Sequence, residues 1–151
     1  MDGSVNALQT AIAVVDDDED LRLWMQRALV REGYRAQLCN SAAAFLDLLP
    51  RAAPRCVLVD LQMPGIDGME LLQTLTLRHD APPVIMITAH GDVASARNAL
   101  KLGAVDFIEK PVAAEELFAA IGEALAIEGA QRRRRQASND ARTRVAQLTE
   151  R

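Results

Sequence analysis

The chain has 151 residues, half of them hydrophobic and a quarter charged, with a formal net charge of -4. These proportions exclude a disordered, collagen-like or disulfide-built protein and suit one globular domain with a short appendage. No apolar run approaches the length of a membrane span, and Met1-Asp2-Gly3-Ser4 lacks the basic and apolar regions of a secretion signal, so a cytoplasmic location is expected.

In chain order, Ile12-Ala13-Val14-Val15 is an apolar run that ends in Asp16-Asp17-Asp18. A buried strand delivering acids to its carboxyl end is the expectation. Residues 20–32 place Leu21, Trp24, Met25, Ala28 and Leu29 on one helical stripe, with Gly33 as the stop. Trp24 is expected in the core, and Asp18 and Asp20 at the first helical turn. A strand over 34–38 follows. Ser41 caps a helix over 42–49 that Pro50 should end. Cys56-Val57-Leu58-Val59 then repeats the strand grammar, closing on Asp60 before Leu61-Gln62-Met63-Pro64-Gly65. Asp67 or Gly68 opens a helix carrying Met69, Leu71, Leu72 and Leu75, and the Asp67-Gly68 and Pro64-Gly65 pairs read as turn chemistry. His79 reads as a helix-end residue.

The run Val84-Ile85-Met86-Ile87 ends in Thr88, Asp92 opens a helix over 93–102 stopped by Gly103, and the strand over 105–109 ends in Lys110-Pro111. A last helix is expected over 114–126, with Leu117, Phe118, Ile121 and Leu125 on its apolar side. Five strands alternating with five helices predict a doubly wound parallel sheet with right-handed crossovers. Cys39 and Cys56 show no partner pattern and are expected as free, buried thiols.

Residues 1–129 hold 10 basic and 19 acidic side chains, net -9, whereas 130–151 hold 7 and 2, net +5. The boundary is therefore placed between a domain over 10–128 and a basic linker over 129–151, helical only if supported. Arg132 to Arg135 are either solvated linker or contacts for nucleic-acid phosphates.

In a parallel sheet the carboxyl ends of the strands share one edge, the usual ligand edge of open α/β folds. That edge would gather Asp16, Asp17, Asp60, Thr88 and Lys110. Clustered carboxylates without His or Cys favour a hard cation such as Mg2+ over zinc. Asp17 and Asp60 with Asp16 in support suit it. A carboxylate beside such a cation and a lysine can attack a phosphoryl group, with Thr88 hydrogen-bonding the transferred group.

Val15-Asp16-Asp17, Asp60 with Met63-Pro64-Gly65 and Asp67-Gly68, Thr88-Ala89 and Lys110-Pro111 together resemble the receiver domain of two-component response regulators over about residues 10–128. The resemblance implies a flavodoxin-like fold of strand order 2-1-3-4-5, with Asp60 as the phosphoacceptor from a sensor histidine kinase. It further implies that Asp16, Asp17, Asp60 and the Gln62 backbone carbonyl hold Mg2+, and that Thr88 and Lys110 bind the phosphoryl group. Phe107 matches the family's aromatic switch, although a plain core role is open. His90 and Gln62 flank the site, where they either tune hydrolysis or, for His90, lie idle on the surface.

Thr88-Ala89-His90-Gly91-Asp92-Val93 and Gly103-Ala104-Val105-Asp106-Phe107-Ile108-Glu109-Lys110-Pro111 are similar to FixJ-type regulators and also to receivers of sigma-54 activators. Leu148-Thr149-Glu150-Arg151 resembles the opening of a LuxR-type domain. The resemblance thus implies a chain that continues into a DNA-binding helix-turn-helix. Phosphorylation would favour a homodimer through the fourth helix and fifth strand, near Val93, Arg97, Leu100 and Lys101. The protein's own catalysis would be limited to assisting transfer and hydrolysis. A stand-alone phosphorelay or signalling receiver, or the receiver of a sigma-54 activator, is the alternative. An aspartyl phosphohydrolase is the other rival, but the second acid it needs two residues after the nucleophile is Gln62.

Overall fold

The computed structural model describes residues 10–79 and 81–149; Met1 to Ser4, Glu150 and Arg151, on which some expectations rest, lie outside them. Five strands, β1 (Ala11–Val15), β2 (Arg35–Cys39), β3 (Cys56–Asp60), β4 (Val84–Thr88) and β5 (Asp106–Glu109), form one parallel sheet in the order 2-1-3-4-5. β1, β3 and β4 are buried at every position, which is why they read as continuous apolar runs instead of alternating ones. The register pairs Val15 with Val59, Asp60 with Ile87, and Thr88 with Glu109, so the strand ends line up along one edge.

Five helices connect and cover the strands: α1 (Glu19–Arg31), α2 (Ala42–Ala52), α3 (Gly68–Thr76), α4 (Val93–Lys101) and α5 (Ala114–Thr149). Two cores result. Met25, Leu29, Leu117, Ile121 and Ala124 of α1 and α5 pack on one face, and Phe45, Leu49, Leu71, Leu72, Leu75 and Ala99 of α2 to α4 on the other. Side chains cap the first four helices. Asp18 accepts from the amides of Asp20 and Leu21, Ser41 from Ala44, Asp67 from Glu70 and Asp92 from Ser95. Cys39 and Cys56 are free and buried, and burial pushes the Cys56 thiol up to about 12, so it stays protonated.

Four expectations need correction. α2 runs through Pro50 to Ala52, because a proline so near the end removes only one helical bond; the stop comes at Ala53, whose φ of 44° is left-handed. Trp24 is not in the core: at 38% exposure it lines a surface groove with Ala114, Glu115 and Phe118 at the start of α5, while Met25 and Leu29 are the buried residues of α1 and Leu21 packs beside them. His79 lies in a turn beyond the end of α3 and is exposed. Finally, α5 does not end at 126. It continues to Thr149 as one helix of 36 residues, because nothing after Pro111 breaks it and its composition is rich in Ala, Arg, Gln and Glu.

Candidate functional site at the carboxyl edge of the sheet

Asp60 is the last residue of β3 and only 4% exposed. Its Oδ2 accepts a hydrogen bond from Lys110 Nζ at 3.3 Å, and its Oδ1 lies 3.4 Å from the donating Gln62 amide. Lys110 follows β5 at the other side of β4, and its own amide donates to the Thr88 carbonyl at 2.8 Å. The fifth strand thus sends its cation across the end of the fourth to the acid of the third.

Asp16 follows β1 directly and is fully buried. Its amide donates to the Cys39 carbonyl at 3.1 Å, its Oδ1 accepts from the Asp18 amide at 2.9 Å, and its carbonyl accepts from Arg22 Nη1 at 2.6 Å. These contacts leave Asp16 Oδ2 buried and without a partner. One oxygen each of Asp16, Asp17 and Asp60 lies within 4.8 Å of the others, with Asp17 exposed. Burial, against the pull of the Asp18 amide and aided by the charge of Asp60, raises Asp16 to about 6. An orphaned buried carboxylate oxygen beside two more carboxylates is a donor set suited to a hard divalent cation with oxygen ligands.

Thr88 ends β4, is fully buried, and directs its hydroxyl to the Ile108 carbonyl at a long 3.5 Å. Phe107 is half-buried against the core on the α2 to α4 side. Gln62 is exposed beside Asp60. All five chemistry-bearing residues expected at this edge are therefore on it.

Two further residues shape the site without having been singled out for it. At Gly68, a Cβ would collide with the Asp60 carbonyl and come within 2.7 Å of Leu61 Cα, while its amide donates to the Leu61 carbonyl at 2.9 Å. Its role is therefore close approach of α3 to the Asp60 backbone rather than turn chemistry. Glu109 accepts from the Gly91 amide at 2.8 Å and contacts His90 Nδ1 at 3.1 Å. A pairing 18 residues apart leaves no local signal in sequence.

A five-stranded parallel sheet of order 2-1-3-4-5 with an acid cluster and a lysine at its carboxyl edge defines a flavodoxin-like receiver. The chain belongs to the response regulator receiver domain family, whose model matches residues 12–122. It is 39% identical over 140 residues to the transcriptional regulatory protein FixJ of Bradyrhizobium diazoefficiens, covering 93% of this chain and 68% of that one. It is 38% identical over 112 residues to the DNA-binding transcriptional regulator NtrC of Escherichia coli, covering 74% of this chain and 24% of that one. The solved structure of FixJ-N superposes with a TM-score of 0.71 at 39% identity, over 78% of this chain and 94% of that one. The chain thus spans about two thirds of its FixJ relative and a quarter of NtrC.

Proposed function

We propose that the protein is a phosphorylation switch in which Asp60 accepts a phosphoryl group from a sensor histidine kinase. The observation that carries this reading is the nearly buried Asp60 carboxylate, held 3.3 Å from Lys110 Nζ beside Asp16 and Asp17. An Asp60 oxygen attacks phosphorus, the bond from phosphorus to the donor nitrogen breaks, and the nitrogen keeps the electron pair. Lys110 neutralises charge on the transferred oxygens, and the Thr88 hydroxyl donates to one of them. Asp16, Asp17, Asp60 and the Gln62 carbonyl would hold Mg2+, which supplies charge neutralisation at the phosphoryl oxygens when bound. Hydrolysis by water returns the carboxylate and inorganic phosphate.

Thr88 shifting toward the phosphoryl group and Phe107 turning inward would reshape the face of α4 and β5, where Val93, Arg97, Leu100 and Lys101 are exposed on α4. That face is the proposed homodimer surface, and the resulting population shift would be read by a DNA-binding output carried beyond residues 129–151, the basic linker. Incubation with acetyl phosphate and Mg2+ followed by intact mass measurement tests the assignment. The wild type should gain one phosphoryl group, and Asp60→Asn none while keeping its fold; a phosphoryl adduct on the variant as stable as on the wild type refutes it.

A further inference from the structure

We propose that Glu109 is a positioning residue for this switch: it holds the turn after Thr88 and so keeps the Thr88 hydroxyl on β5 until Asp60 is phosphorylated. The inference rests on Asp60 as phosphoacceptor. The hydroxyl's own bond, 3.5 Å to the Ile108 carbonyl, is too long to hold it strongly. The restraint lies one step further along the chain. Residues 89–92 form a tight turn in which the Asp92 amide donates to the Ala89 carbonyl at 3.2 Å and the Val93 amide to the Gly91 carbonyl at 3.0 Å. Asp92 in turn caps α4 through the Ser95 amide at 3.2 Å, so the turn and the start of α4 move together.

The Glu109 carboxylate fastens this unit to β5 by accepting the Gly91 amide at 2.8 Å. Gly91 sits at φ 83°, in the left-handed region that favours glycine, so the turn that presents this amide is one a side chain would strain. His90 adds little, because its side chain is 85% exposed and that of Glu109 41%. The amide bond, short and charge-assisted, is the tie. Thr88 and Glu109 are neighbours in register, and Lys110 comes next, so the tie sits directly beside the group that reaches Asp60. For the Thr88 hydroxyl to move to a phosphoryl oxygen on Asp60, the turn that follows it must also move, and Glu109 resists that movement.

Amide NMR with beryllium fluoride and Mg2+ as the phosphoryl mimic tests this. In the wild type, the Gly91, Asp92 and Val93 resonances should shift on addition of the mimic. In untreated Glu109→Ala they should already lie part-way along that line, an equilibrium displaced on the order of tenfold, while β1 resonances stay in place. Glu109→Gln keeps an acceptor for the Gly91 amide and should sit nearer the wild type. Untreated Glu109→Ala at wild-type positions, or Glu109→Gln displaced as far as Glu109→Ala, overturns the proposal. A wild type that does not respond to the mimic instead defeats the Asp60 reading, and this inference with it.

Discussion

Asp16 is a carboxylate kept short of hydrogen bonds at the price of its acidity. Without metal, burial raises it to about 6 from 3.8, so between about pH 4 and 6 the folded protein holds a proton that the unfolded chain has released. Its contribution to metal-free stability therefore falls as pH rises through that window and is least favourable above it. Asp16→Asn should stabilise the metal-free protein at pH 7.5 by roughly 1–3 kcal/mol, seen as a higher Tm, while weakening Mg2+ binding. In the wild type, calorimetry should find apparent Mg2+ affinity about tenfold lower at pH 5 than at pH 7.5, because the ion must displace the proton. Equal affinities would remove Asp16 from the ligand set. Gly68→Ala forces α3 off the Asp60 backbone and should cost about 1–3 kcal/mol by denaturant titration, with slower phosphorylation. The acids and Thr88 were legible because they close apolar runs, and Lys110 because it follows a strand directly and Pro111 comes next. Gly68 and Glu109 were not, because close approach and long-range pairing belong to the folded chain alone.

Among the elements, the strands and most helix starts were legible from apolar runs and capping residues, whereas two helix ends were not. Pro50 lost to the left-handed Ala53, and the basic segment lost to the continuity of α5. A thin apolar stripe says that a helix is unsupported, not that it ends. What anchors the extension is Glu128, only 8% exposed, whose Oε1 meets Arg55 Nε at 2.9 Å and Arg132 Nη2 at 3.5 Å. Arg55 immediately precedes β3, the strand that carries Asp60, and its amide bonds the Ala11 carbonyl at 2.9 Å. Glu128→Ala should cost about 1–2 kcal/mol, less than a fully buried pair, since the Arg55 side chain is 33% exposed. Amide exchange over residues 130–140 should quicken while that of β1 to β4 in the same spectra is unchanged; unaltered exchange in the extension would show that Glu128 does not anchor it.

At the scale of the whole molecule, an acidic body carries a basic extension. If Arg132 to Arg135 engage about four nucleic-acid phosphates, binding should be indifferent to sequence and should weaken roughly 100-fold between 50 and 200 mM salt. Sequence-selective binding that survives salt would assign recognition to this chain itself. No helix among the described residues is long and apolar enough to cross a membrane; α5 is seated on the core through Leu117, Ala120, Ile121 and Ala124, and its residues 131–147 are exposed. At 1.5 Å per residue its 36 residues reach about 54 Å, against about 17 Å for a five-residue strand. Such a rod would act as a lever if it tilted about the Glu128 cluster. A tilt of about 5° there would carry the far end, some 30 Å away, through roughly 2.6 Å, turning a displacement too small to break a contact in the body into one large enough to bring surfaces at the tip together or apart.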